Sequence, residues 1–140
     1  MARVDELIRR LSLKPLAKEG GFFRFLHLFG NEAGAIYYLI TKDSFSSLHL
    51  LSSDEVWFFL EGGRCEQVTL VDGGSLKRRI IDCDNRTSMI KAGEWQATKL
   101  IDGDYALFST VMSPHYVDSD YNEPTEKLLD KYPDLREYLL

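Results

Sequence analysis

Residues 46–63 read "SSLHLLSSDEVWFFLEGG", and this stretch decides the fold. Two apolar runs, "SLHLL" and "EVWFFLE", are separated by Ser52, Ser53 and Asp54, which read as a turn. In a strand, residues two apart share a face. Ser47, His49 and Leu51 therefore form one row, and Glu55, Trp57 and Phe59 form a second on the next strand. With both rows turned to the interior of a barrel, His49 and Glu55 face each other across a hairpin. That pairs an imidazole with a carboxylate, while Leu51 stands where a metal site would want a second histidine.

The texture on either side is also strand. "AIYYLIT" precedes the stretch, and "CEQVTLV" and "SLKRRIID" follow it on the two sides of Asp72, Gly73 and Gly74. Asp and Gly tolerate positive φ, so this triplet signals a hairpin. "TSMIKAGEWQATKLI" and "YALFSTVM" flank Asp102, Gly103 and Asp104, a second such signal. "SLKRRIID" has the charge of an edge strand that resists aggregation. Short strands with turn chemistry at regular spacing predict a sandwich or closed barrel, not βαβ units. Before them, Val4, Leu7, Ile8 and Leu11 have helical spacing, with Pro15 as a stop. "GGFFRFLHLFG" then reads as a turn and an imperfect strand carrying Phe23, Phe25 and Leu28. The tail, with Pro124 and Pro133, reads as two short helices on the barrel edge. The expectation is one domain over residues 1–140.

Composition narrows the function. Apolar residues make up 44% of the chain, and 17 basic against 22 acidic side chains give a net charge of −5. A phosphate partner needs a basic surface, so nucleic acid and anionic membranes are excluded as expected partners. The longest unbroken apolar run, residues 35–40, is far short of a membrane span. Cys65 and Cys83 have no metal-ligand spacing and read as reduced thiols. With no signal-peptide pattern at the start, the expected location is cytoplasmic.

The chain resembles the cupin superfamily, whose first motif has the form H-x-H-x3-E-x6-G. His49, Leu51, Glu55 and Gly62 fall in that register. The second motif, P-x-G-x2-H, is matched by "KAGEWQ", with Lys91, Gly93 and Gln96 at the proline, glycine and histidine positions. More narrowly the chain resembles the cupin-5 group, the domain of unknown function numbered 985. The shared phrases here are Glu19-Gly20-Gly21-Phe22-Phe23-Arg24, Ile36-Tyr37-Tyr38-Leu39-Ile40, Asp54-Glu55-Val56-Trp57 and Ala92-Gly93-Glu94-Trp95-Gln96-Ala97. Tyr105-Ala106-Leu107, Val111, Pro114 and Tyr132-Pro133 complete the series. The resemblance implies a mainly β fold, a cupin-type double-stranded β-helix (an RmlC-like jelly-roll barrel) with short terminal helices. Leu48-His49-Leu50, Trp57-Phe58-Phe59 and Pro114-His115-Tyr116 depart from the group's usual phrases, so contacts made by its arginine and second histidine do not carry over.

If a divalent metal binds, the resemblance makes His49, Glu55 and Gln96 its ligands. An amide oxygen is a weak ligand and Leu51 offers none, so the expectation is no metal and no other cofactor. Polar groups turned into a barrel are costly unless paired with each other, water or a ligand. The expected site is thus an interior pocket for a small polar molecule, sugar- or carboxylate-like, lined by Arg24, Tyr38, His49, Glu55, Trp57 and Gln96. His49 and Glu55 are its most reactive pair. Two alternatives stand beside it. One is acid–base catalysis of the kind implied by a fold-level likeness to sugar-nucleotide epimerases, or weak metal-dependent chemistry. The other is a non-catalytic oligomeric scaffold, with the Phe-rich segment before residue 30 joining a homodimer. Trp95, of opposite parity to Gln96, fits a sheet–sheet or subunit contact; His27 reads as packing, and His115 and Tyr116 as cover for the barrel mouth.

Overall fold

The computed structural model describes residues 2–140; Met1, included in the expected domain, lies outside them. Helix α1 (Ala2–Arg10) is followed by strands β1 (Lys14–Pro15), β2 (Phe22–Phe29), β3 (Ala33–Thr41), β4 (Ser46–Leu50) and β5 (Asp54–Gly62). Then come β6 (Cys65–Leu70), β7 (Lys77–Ile81), β8 (Thr87–Ile90), β9 (Trp95–Leu100), β10 (Tyr105–Ser113) and α2 (Glu126–Lys131). A 3₁₀ turn at Asp118–Asp120 precedes α2, and a 3₁₀ helix at Pro133–Tyr138 closes the chain. The strands form a six-stranded sheet in the order β1-β2-β3-β10-β5-β8 and a four-stranded sheet in the order β4-β9-β6-β7. Every pairing is antiparallel. This is the expected jelly roll.

Two expected hairpins are crossovers instead. β4 and β5 lie in opposite sheets, so Ser52, Ser53 and Asp54 carry the chain across the barrel. His49 and Glu55 face each other through the interior, not along one sheet. Asp102, Gly103 and Asp104 likewise join β9 and β10, which lie in different sheets. Local turn chemistry is the same for both kinds of connection, and only strand partnership separates them. The triplet at residues 72–74 does close a hairpin, between β6 and β7, and β7 is an edge strand as its charge suggests. The run containing "TSMIKAGEWQATKLI" is broken into β8 and β9 by a turn in which Lys91 N–H donates to Glu94 Oε1.

The inner faces of the two sheets differ in chemistry. The six-stranded sheet presents Tyr38, Trp57, Phe59 and Phe108, all buried, with Trp57 edge-on to Tyr38 and to Phe108. The four-stranded sheet presents polar groups that are no less buried, among them His49, Gln67, Gln96 and Thr98. Part of that layer is satisfied by hydrogen bonds within it and to β8 of the other sheet: Gln67 Nε2 donates to Thr98 Oγ1 at 2.9 Å, Ser88 donates to Gln67, and Arg79 donates to Ser88.

The outer faces are covered by the helices. α1 lays Val4 and Leu7 on Leu39 and Leu107. The C-terminal helices were expected at the barrel edge; they cover the outer face of the four-stranded sheet, where Leu128, Leu129, Leu135 and Tyr138 pack on Leu48, Val68, Leu70 and Ala97. Trp95 packs in this layer, which accounts for its outward parity within the chain itself. α2 starts where Thr125 Oγ1 accepts the Leu128 N–H, one residue after Pro124.

Candidate functional site

Glu19 is the residue that organises the polar end of the barrel. The Glu-Gly-Gly phrase turns the chain sharply between β1 and β2. Gly20 and Gly21 have φ of +98° and +74°, a region that side chains rarely adopt. A Cβ on Gly21 would lie 2.4 Å from the Tyr38 hydroxyl. The turn is held by Gly20 N–H donating to Leu16 O at 2.9 Å and by the Tyr38 hydroxyl donating to Gly20 O at 2.6 Å. Glu19 O accepts the Ser47 N–H, which ties the turn to β4. The Glu19 carboxylate is thereby directed inward, where Ser46 Oγ donates to Oε2 at 2.7 Å.

β4 brings His49 to the same place through an irregularity. Ser46 pairs with Thr98 and His49 with Gln96, so three residue steps on β4 span two on β9. Such a bulge resets the side-chain alternation, and it places both Ser46 and His49 against Glu19. His49 Nδ1 lies 2.7 Å from Ser47 O, and since a carbonyl only accepts, Nδ1 carries the proton. Nε2 then faces Glu19, 3.6 Å from Oε1. The ring stacks on Tyr121 at 5.1 Å, which covers it from the chain segment after β10.

Glu55 enters from the six-stranded sheet. It is 5% exposed and accepts the Gln96 amide N–H at 3.2 Å. Burial, followed by repulsion from Glu19, pushes its carboxyl up to about 7 against the pull of His49, Thr110 and Gln96. The same two causes, burial first, hold the Tyr38 hydroxyl well above its ordinary range. Gln96 Oε1 and Trp57 Nε1 are buried and have no hydrogen-bond partner among the described residues.

A cavity of about 300 Å³ opens beside these groups. Its walls are mainly apolar, from Phe23, Phe25, Ile36, Trp57 and Met112, and its polar end carries Glu19, Tyr38 and Glu55. Lys18, Tyr116, Asp118 and Tyr121 also line it. Of the residues expected in a pocket, Tyr38, Glu55 and Trp57 line this cavity. His49 and Gln96 stand behind it, each within contact of a lining carboxylate. Arg24 is placed elsewhere: the β2 residues on either side of it, Phe23 and Phe25, line the cavity, and alternation turns Arg24 outward, where it reaches Leu11 O at 3.4 Å. Glu19 and Tyr121 were not foreseen as site residues. The signal for Glu19 was present, a carboxylate directly before two adjacent glycines; for Tyr121 there was none beyond its aromatic type.

The two sheets closing over a cavity with a polar end define a cupin-fold barrel. The chain belongs to the family described as Cupin superfamily (DUF985), whose model matches residues 5–123. Among solved structures it is similar to a hypothetical protein from Leishmania major, 20% identical over 96% of this chain and 97% of that one, with a TM-score of 0.87. It is also similar to a protein from Shewanella oneidensis, 22% identical over 97% of this chain and 96% of that one, TM-score 0.85. A more distant likeness, to the Lactobacillus farciminis oxalate decarboxylase, has 14% identity over 94% of this chain and 43% of that one, TM-score 0.64. Identities this low establish the fold alone. No curated protein matches the chain significantly.

Some cupins hold a metal, and the donors here do not fit one. Among the described residues, no three His, Cys, Asp or Glu side chains converge as a metal site. Leu51 is packed at 3% exposure just after β4 ends. Gln96 turns its N–H toward Glu55, so the amide is not presenting its oxygen to a centre shared with that carboxylate. No helix among the described residues is long and apolar enough to cross a membrane.

Proposed function

We propose that the protein binds a small hydroxylated, sugar-like molecule in the cavity between the sheets, without a resident metal. The observation that carries this is the pairing of a 300 Å³ cavity with a polar end containing the half-buried Glu19 and the buried Glu55. Buried carboxylates are stable only when hydrogen-bonded or paired, and a hydroxylated ligand brings donors. A carboxylate-like ligand is disfavoured, because it would meet two acidic groups of its own sign. Soaking crystals with small hydroxylated compounds tests the proposal: occupancy in this cavity is expected, and binding confined to other surfaces would overturn it.

A second reading is favoured by Glu55. A carboxyl held near 7 by burial, at the wall of a cavity, is suited to proton transfer at neutral pH. In this reading Glu55, which faces the cavity, is the base, and His49 acts through Glu19.

A homodimer is proposed on the edge of β2. β1 pairs with β2 only at Phe22 and Phe23, which leaves residues 24–29 with an open edge carrying exposed Phe25, Leu26 and Phe29. A cytoplasmic location is supported by two free cysteines, Cys65 and Cys83.

A further inference from the structure

We infer that the ligand carries an ammonium group, and is a hydroxylated amine such as an amino alcohol or amino sugar, with its nitrogen seated between Glu19 and Glu55. This rests on the binding role proposed above and names the ligand's chemistry.

Charge is the first argument. The cavity lining contains three carboxylates, Glu19, Glu55 and Asp118, against one ammonium, Lys18. Lys18 is drawn toward the Tyr121 ring, with Nζ 5.9 Å from its centroid. Ser46 neutralises nothing, and His49, which lies against Glu19 and pulls on Glu55, does not line the cavity. A neutral polyol would leave the acidic end uncompensated, and an anion would worsen it. A cation relieves both carboxylates at once.

Hydrogen-bond inventory is the second argument and is independent of charge. An ammonium has three donors and no acceptor. Glu19 and Glu55 provide two carboxylate acceptors at one end of the cavity, and the Gln96 amide stands behind Glu55. Gln96 is 1% exposed, its N–H₂ is turned to Glu55, and its Oε1 has no partner among the described residues. Trp57 is also 1% exposed and lines the cavity with an unpartnered indole N–H. That donor takes a ligand oxygen, so the same molecule bears a hydroxyl. The aromatic walls, including Phe23 and Tyr121, accept the carbon body and favour a nearby cation.

The test uses the full-length protein and three probes of one shape: trans-2-aminocyclohexanol, cyclohexane-1,2-diol and 2-hydroxycyclohexanecarboxylate. Titration calorimetry at pH 8 is expected to show the amine binding about tenfold or more tighter than the diol, the scale of a charge-assisted hydrogen bond, and the carboxylate weakest. Glu55→Gln and Glu19→Gln should each weaken the amine by more than they weaken the diol, so that the preference narrows to less than about threefold. At pH 6 the wild type should release a proton on binding the amine, as Glu55 ionises beside Glu19, His49 and Tyr38; buffers of different ionisation enthalpy read this without any variant. A diol or carboxylate that binds as tightly as the amine overturns the ammonium and leaves the hydroxylated-ligand proposal standing. Failure of all three at millimolar concentration overturns both.

Discussion

Replacing Glu55 with Gln should make the protein more stable at alkaline pH and leave that advantage absent at acid pH. The folded chain holds the Glu55 proton up to about 7, whereas an unfolded carboxyl releases it near the ordinary 4.5. Between those values the folded state binds the extra proton. Stability therefore falls as pH rises through the window, and the full loss is reached above about 7. At about 1.4 kcal/mol per tenfold, the interval corresponds to about 3 kcal/mol. Glu55 is only 5% exposed, so solvent screening removes little of this. A chain of 140 residues unfolds with an entropy of about 0.3 kcal/mol/K, which converts the effect to about 10 °C in Tm. Gln keeps the shape and can still accept from Gln96, but does not titrate. The assay is urea or thermal unfolding of both proteins at pH 4.5, 6 and 8. The difference, variant minus wild type, should grow by about 3 kcal/mol across that series. A difference that is flat with pH, or that shrinks, would refute the placement of an acid-retaining carboxyl inside the barrel.

Two further outcomes are expected. Gly21→Ala forces a side chain onto a φ of +74° and against the Tyr38 hydroxyl. It should cost at least about 2 kcal/mol in denaturant unfolding, and a neutral result would mean that the turn does not hold Glu19 in place. Phe29→Glu on the open edge of β2 should convert a dimer to a monomer by light scattering, with unchanged circular dichroism; a wild type that is already monomeric removes the dimer.

Much of the fold was legible because β alternation is a local property. Glu55, Trp57 and Phe59 were read as one inward row and are 5%, 1% and 5% exposed, while Phe58 and Leu60, of the opposite parity, are exposed. β4 was less legible. Its bulge brings the side chain of Ser46, not that of Ser47, to Glu19 together with His49, and a bulge leaves no mark in the composition of so short a strand. The crossovers at residues 52–54 and 102–104 were read as hairpins because turn residues report chain reversal and not the identity of the partner strand.

The site divides in the same way. Glu55 and Trp57 follow from strand parity, but Arg24 does not belong with them. The sequence phrase placed it near the pocket, whereas alternation between Phe23 and Phe25 sends it to the other face of β2. Glu19 lies on no strand, so no periodicity could assign it a direction. Its orientation depends on two left-handed glycines and a tyrosine 19 positions away, contacts that exist only once β3 is in place. Tyr121 meets His49 only because the chain after β10 folds back over the barrel, held where Ser52 donates to the Asp120 carboxylate and Asn122 bridges Leu50.

The most direct measurement is a crystallographic fragment soak with a library of small hydroxylated and aminated compounds. Bound fragments should concentrate in the cavity walled by Phe23, Ile36 and Trp57, with a donor atom within hydrogen-bond distance of Glu19 or Glu55. A cavity that stays empty while the same library binds elsewhere on the protein would contradict a ligand-binding role for this barrel.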